Sequence, residues 1–214
     1  MSWLDALSGA ERALFLPRFL PRRFTRGETI VFQGDDSISV GVIDTGHAAV
    51  KRATPHGEAV TTTILGPGAS FGEIAEITRR GRTATLVALD DVAVRVLPGG
   101  VFAEMRQRIP EIDRALLLAL AERLDDLSAR LAEAAYETVQ RRTERRLVEL
   151  AHTFGAGATS ASIPLTQEDL AGLVGTTRPT INQVLGTLGD AGLVSVARGR
   201  VDVPDIAALT RHVR

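Results

Sequence analysis

The rhythm of hydrophobic and polar positions changes twice along this chain. Between about residues 24 and 97, apolar residues come in short β-prone runs. Six of these runs read as strands, over 29–32, 40–43, 48–51, 60–65, 84–88 and 92–97. Gly27, Gly34, Gly46, Gly57 and the Gly66-Pro67-Gly68 triplet punctuate them, as residues that favour tight turns. Strands spaced so evenly predict an antiparallel sandwich or roll. A short helix over 5–15 is expected ahead of it.

The rhythm then lengthens. Pro110 suits the first turn of a helix, where its missing N–H would go unpaired anyway. Neither proline nor glycine follows before Tyr136. Leu117, Leu120, Leu124, Leu127, Leu131 and Ala134 step by three and four, the a/d seam of a coiled coil. A helix over 110–136 would be about 40 Å long. Its seam needs a cover, either the protein's own roll or a parallel partner helix in a homodimer.

A third style runs from about Thr138 to the end. A periodic helix over 143–154, through Leu147, Leu150 and Ala151, stops at Gly155-Ala156-Gly157. Thr166 with Asp169 three residues later makes an N-cap, and the helix that follows turns Leu170, Ala171 and Val174 inward before ending at Gly175. A second helix starts at Thr177 with Ile181, Val184, Leu185 and Leu188 as its buried stripe. Two short helices joined by a glycine-containing turn form a helix-turn-helix pattern. Residues 193–197 and 200–203, around Arg198-Gly199, read as a β-hairpin placed where a winged helix carries its wing.

Composition narrows the chemistry. The chain of 214 residues is 44% apolar and contains no cysteine, which removes disulfides, thiolate zinc sites, cysteine-ligated iron–sulfur clusters and cysteine nucleophiles together. No apolar run reaches the length of a membrane span, and Met1 to Asp5 lack the order of a secretory signal, so a soluble cytoplasmic protein with no membrane partner is expected. The four histidines, His47, His56, His152 and His212, show no ligand spacing, and no nucleophile, base and acid fall at catalytic spacing. Neither a metal site nor an enzyme is expected.

Charge is balanced, with 25 basic against 26 acidic residues, and residues 137–214 carry nine basic and eight acidic side chains. A polyanion partner would therefore have to be met by a few placed arginines. Arg141, Arg142, Arg145 and Arg146 precede the helix-turn-helix, Arg178 opens its second helix, and Arg198 and Arg200 lie in the hairpin. The first cluster also reads as a solvated helix face, because Glu137 with Arg141 and Arg145 with Glu149 are i,i+4 pairs.

One constellation lies in the roll. Gly66 to Ser70 leads into Phe71-Gly72-Glu73-Ile74-Ala75, and nine residues after Glu73 comes Arg82-Thr83-Ala84. Glycine lets backbone N–H groups approach a phosphate, a helix starting there points its N-terminus at the charge, and Arg82 supplies the counter-charge with the Thr83 hydroxyl beside it. Glu73 would repel a phosphate, but it fits a ligand whose sugar hydroxyl donates to it. In the plainer alternative, Arg82 is simply salt-bridged to Glu73 or Glu76.

At these residues the sequence resembles the cyclic-nucleotide-binding fold, with Gly34-Asp35 and Gly46 matching its strand-turn glycines. Cassette, long helix and winged helix-turn-helix, in this order over nearly the whole chain, are similar to the CRP/FNR family of bacterial transcription regulators. The resemblance implies that Gly72 and Ala84 shape the cassette, Glu73 holds the ribose 2′-hydroxyl, and Arg82 with Thr83 holds the cyclic phosphate. It places Ser128 at the purine, whereas Leu127 departs from members that carry a hydroxyl residue there.

In the second helix of the helix-turn-helix, the buried stripe leaves Pro179, Asn182, Gln183, Gly186 and Thr187 on the exposed face, flanked by Arg178. Arg can bond both guanine acceptors in the major groove, and Gln or Asn can pair in the same way with adenine. The resemblance puts base contacts at Arg178, Pro179 and Gln183, where members that read the best-known half-site carry Glu at the second and Arg at the third. Thr177, Thr180, Arg198 and Arg200 complete the expected DNA surface. A non-standard operator is implied, with the guanine contact of Arg178 kept.

The expected architecture is α+β. An N-terminal antiparallel β-roll, double-stranded and jelly-roll-like, serves as sensor over 1–109, a dimerisation helix spans 110–137 with Leu117, Leu120, Leu124, Leu127 and Leu131 at the interface, and a winged helix-turn-helix DNA-binding domain covers 138–214. The expected function is a homodimeric transcription regulator on palindromic double-stranded DNA, with RNA polymerase as a further partner. No tightly bound cofactor is expected, and the effector is a cyclic nucleotide, cyclic AMP first. Two alternatives stay open. One is a nucleotide-independent regulator with a vestigial or differently liganded sensor site, and the other is a cyclic-nucleotide-binding signalling module whose helix-turn-helix makes protein contacts.

Overall fold

The computed structural model describes residues 3–54 and 57–213. The chain falls into two compact units, one formed by the chain up to Ala59 with Thr63–Leu127, the other by Val60–Thr62 with Ser128 onward.

Eight strands build the roll: β1 (Leu20–Phe24), β2 (Thr29–Val31), β3 (Ser39–Thr45), β4 (Ala48–Ala53), β5 (Ala59–Leu65), β6 (Ser70–Phe71), β7 (Thr85–Ala88) and β8 (Val92–Pro98). They form two four-stranded sheets, ordered β1-β8-β3-β6 and β2-β7-β4-β5. The β1–β8, β3–β8, β3–β6, β2–β7 and β4–β7 pairs are antiparallel. All six expected strands are present, while β1 and β6 were not anticipated.

Alternation along β3 and β8 gives this sheet two buried faces. Ile43, Val92 and Val94 join Leu65, Phe71 and Leu86 in one apolar cluster. Val40, Val42 and Leu97 point the other way, into a cluster completed by Trp3, Phe15, Phe102, Met105, Ile112 and Leu116.

Helices supply that second cluster. The helix expected over 5–15 is shorter: a 3-10 turn over Trp3–Ala6 precedes α1 (Gly9–Phe15). Ser8 interrupts the two because its side chain caps α1 in a reciprocal capping box with Glu11. α2 (Glu73–Thr78) and α3 (Gly99–Arg108) follow in chain order, and α4 (Pro110–Tyr136) has the expected bounds. Ile112 and Leu116 anchor the first turns of α4 in the core. Leu120 is half-buried, whereas Leu117, Leu124, Leu127 and Leu131 are 63–72% exposed in the single chain. Within the first unit, the roll therefore leaves Leu117, Leu124 and Leu127 uncovered.

The second unit contains α5 (Val139–Gly155), β9 (Ala161–Ile163), α6 (Gln167–Val174), α7 (Arg178–Asp190), β10 (Ser195–Ala197), β11 (Arg200–Val203) and α8 (Ile206–Val213). α5 starts ahead of its apolar period because the Thr138 side chain accepts from the Arg141 N–H and caps it. The Thr166–Asp169 capping box of α6 is complete, and Gly175 closes that helix in the left-handed conformation. Ile181, Leu185 and Leu188 seat α7 in the core. β10 and β11 form the wing, extended on its other edge by β9.

Candidate functional site

The cassette is assembled by close approaches that only glycine permits. β6 ends at Phe71, whose ring lies where a Cβ at Gly41 would be, and the Gly41–Phe71 register locks β6 to β3. Gly72 then becomes the N-cap of α2 at φ 89°. A Cβ there would overlap the Arg82 guanidinium and the Ser39 carbonyl.

Backbone bonds hold Arg82 from the opposite side. Its N–H donates to the Asp35 carbonyl at 2.9 Å, and its carbonyl accepts from the Gly34 N–H at 2.8 Å. The side chain is 4% exposed. Nη2 donates to Ser39 Oγ at 2.6 Å, while Nε and Nη1 are buried with no hydrogen-bond partner among the described residues. Burial pushes the Arg82 pKa down, and the charges of Asp35 and Glu73 oppose that shift, so the guanidinium stays a cation.

Glu73 is 3% exposed. Its Oε1 accepts from Arg123 Nη1 of α4 at 2.6 Å, and Arg123 Nη2 also donates to the Ser70 carbonyl at 3.3 Å. Oε2 is buried and has no hydrogen-bond partner among the described residues. Glu76 pairs with Arg79 and Arg106. Both carboxylates are thus taken by other arginines, which overturns the plainer alternative of an Arg82 salt bridge to Glu73 or Glu76. The chemistry left over is two N–H donors on a buried cation and one carboxylate oxygen from adjoining parts of the cassette. This set is complementary to an anionic oxygen and a hydroxyl on one small molecule.

Thr83 is exposed and Ala84 half-buried at the end of the cassette, and Leu127 and Ser128 are exposed on α4. Sequence reasoning did not anticipate Arg123 or Ser39. Arg123 left a faint signal as one of three basic residues among the 27 of α4, but its target is decided by how α4 lies on the roll.

In the second unit, Arg178, Pro179 and Gln183 are exposed on α7. Thr177 is the N-cap without a capping side-chain bond, because its hydroxyl meets that of Thr180 at 3.0 Å. Asn182 Oδ1 accepts from Gln167 Nε2 at 3.1 Å. A groove of about 420 Å³, lined by Thr166, Gln167, Glu168, Arg178 and the wing, brings Arg178, Arg198 and Arg200 to one surface. Arg200 is also paired with Asp202 at 3.0 Å. As the first residue of α7, Arg178 sits against the positive end of the helix dipole, an arrangement that costs stability unless an anion arrives.

The arginines of α5 pair differently from the expected spacing. Arg145 takes Glu133 and Glu137, leaving Glu137 committed away from Arg141, and Arg146 takes Glu149. The junction after α4 brings Glu133 and Glu137 within reach of one fork, a geometry that i,i+4 counting on a single helix cannot foresee. His47 Nδ1 lies 2.8 Å from Asp90, His212 lies 3.6 Å from Glu144, and His56 is outside the described residues.

Comparison with known proteins bears on both surfaces. The profile of the cyclic nucleotide-binding domain matches residues 21–109, and that of the Crp-like helix-turn-helix domain matches residues 115–212. A CRP-like cAMP-activated global transcriptional regulator of Mycobacterium tuberculosis is 30% identical over 197 residues, 91% of this chain and 88% of that protein. The cyclic AMP receptor protein of Thermus thermophilus is 29% identical, over 95% of this chain and 92% of its own. The crystal structure of a CRP-family transcriptional regulator from Thermus thermophilus superposes with a TM-score of 0.72 at 26% identity, covering 90% of this chain and 96% of that one. The chain therefore belongs to the CRP/FNR family of transcription regulators, with a cyclic nucleotide-binding domain followed by a Crp-like helix-turn-helix domain.

Proposed function

We propose that this regulator acts as a homodimer on palindromic DNA and that a cyclic nucleotide in the roll, cyclic AMP first, sets its DNA affinity. The observation that carries the proposal is the buried, unpartnered hydrogen-bonding capacity of Arg82 and Glu73. A cyclic phosphate would accept from the unpartnered side of the Arg82 guanidinium, and a ribose 2′-hydroxyl would donate to Glu73 Oε2. Gly72 and Ala84 shape the cradle, and Thr83 adds a hydroxyl at its rim. The relatives named as cAMP-activated and as a cyclic AMP receptor support cyclic AMP over other nucleotides.

The exposed leucines of α4 pair with the same seam of a second copy, next to Leu127 and Ser128. A ligand beside α4 alters how the two helices pack and so resets the two recognition helices toward one DNA turn, roughly 34–36 Å. It can do so only to the extent that it binds one state more tightly than the other. In each half-site Arg178 reads guanine and Gln183 reads adenine, Asn182 and Thr180 lie alongside, and Arg198 and Arg200 of the wing meet phosphates.

A second reading draws support from Leu127, which brings no hydroxyl to the base, and from Arg123, which already holds Glu73. In it the roll answers another effector, or none. Gel shifts on genomic fragments with and without cyclic AMP or cyclic GMP separate the two. A nucleotide-dependent shift is expected, whereas a shift of equal affinity in all conditions favours the second reading. Failure to shift any fragment at low salt, where phosphate contacts are strongest, would overturn the DNA assignment.

A further inference from the structure

α2 carries two buried carboxylates three residues apart, hence on one face of the helix. Glu73 belongs to the effector site. Glu76 is 1% exposed, and its carboxylate is paired with two arginines outside that site. Arg79 Nη2 lies at 3.1 Å and Arg106 Nη1 at 3.1 Å. Arg79 ends α2 with a left-handed backbone, φ 55°, which a non-glycine residue adopts at a cost.

Arg106 does not end the chain of contacts. From α3 its Nε reaches Asp113 in the first turn of α4, and its pKa is raised chiefly by that Asp113 bond, with Glu76 adding to it. α4 is therefore tied to the cassette helix twice, through Asp113–Arg106–Glu76 near its start and through Arg123–Glu73 ten residues later. Only the second tie uses a group that the ligand needs.

A buried carboxylate that loses its cation is left charged in the interior, so Glu76 and Arg106 move together rather than part. α2 is a short helix of six residues, too short to bend between Glu73 and Glu76. We propose that Glu76 is the positioning residue that transmits occupancy of the cassette to the dimerisation helix. Adjustment of Glu73 to a ligand hydroxyl shifts α2, Glu76 draws Arg106, and Arg106 draws Asp113 and the start of α4. The proposal rests on the reading of the cassette as a cyclic-nucleotide site and deepens it to the route of regulation.

The test uses the full-length protein, cyclic AMP and a DNA fragment selected by the wild type. Cyclic AMP affinity is measured by calorimetry with and without that DNA, and the ratio is the coupling factor. By linkage the same factor describes the effect of cyclic AMP on DNA affinity, and it is typically about 5- to 150-fold. Glu76→Gln and Asp113→Asn are expected to keep the affinity measured without DNA within about threefold, while the coupling factor falls toward unity. A merely structural role would lower stability and leave the ratio unchanged. Asp113 is about half exposed, so Asp113→Asn remains informative if Glu76→Gln does not fold, and Arg106→Lys is expected to restore part of the coupling that Arg106→Gln removes. A wild type that binds cyclic AMP, combined with unchanged coupling in the variants, overturns the proposal alone. A wild type that binds no cyclic nucleotide overturns the reading of the site and the proposal with it.

Discussion

Arg82 is an expensive residue to keep without a ligand. Two buried N–H groups without partners cost about 1–3 kcal/mol each relative to a satisfied state, and no carboxylate within salt-bridge distance offsets them among the described residues. Arg82→Gln should therefore leave the ligand-free protein as stable as the wild type or more so. The stabilisation that saturating ligand confers, about 2.7 kcal/mol at one hundred times Kd, should be lost. Thermal melts with and without cyclic AMP check both halves, and a large drop in ligand-free stability would mean that Arg82 is structural. Gly72→Ala tests the same cradle from the backbone side, because the left-handed φ and the overlap with Arg82 and Ser39 should together destabilise the roll by at least about 1–3 kcal/mol. It should also abolish nucleotide binding in whatever protein still folds. Arg178→Ala should lower affinity for a selected operator by about 1–3 kcal/mol per half-site while changing affinity for random DNA much less. Equal losses on both would contradict base readout. Glu73 and Arg82 were legible in the sequence because the cassette is a local motif. Arg123 was not, since it comes from fifty residues further along and reaches Glu73 only through the seat of α4 on the roll.

Among the elements, α4 was legible to its ends because nothing competes with its period: Pro110 opens it, no glycine interrupts it, and its seam repeats without error. The structure added which part of that seam faces outward: Ile112 and Leu116 are in the core, Leu120 is half-buried, and Leu117, Leu124, Leu127 and Leu131 are exposed. Leu124→Glu with Leu131→Glu should therefore yield a folded monomer by sedimentation, its far-ultraviolet circular dichroism losing only the helicity that the partner supports. A dimer that persists would move the interface elsewhere. Missed elements share a physical cause. β1 is an edge strand whose Pro21, Arg22 and Arg23 are all exposed, so it has no alternation to detect. α3 starts at Gly99-Gly100, which locally reads as a loop, and it is held by burial of Phe102 and Met105. β9 and α8 are short pieces that gain their form from the sheet and from α5. The winged helix was otherwise legible, because capping boxes and left-handed glycines are local devices.

For the whole molecule, a net charge of −1 and a DNA-binding region of balanced charge imply few phosphate contacts. Each neutralised phosphate contributes about 0.9 to the slope of log affinity against log salt. Arg198→Ala should reduce that slope by roughly two in a dimer, one for each wing, and an unchanged slope would remove the wing from the interface. On the proposed reading such binding would lean on dimer geometry and base contacts, and so be sensitive to a ligand that adjusts α4. Calorimetry of the wild type and of Arg82→Ala against a panel of cyclic nucleotides tests that control most directly. Saturable binding of cyclic AMP to the wild-type dimer is expected, together with its loss in a dimeric Arg82→Ala protein. No binding of any member of the panel, or equal affinity in the two proteins, would contradict cyclic-nucleotide control through this cassette.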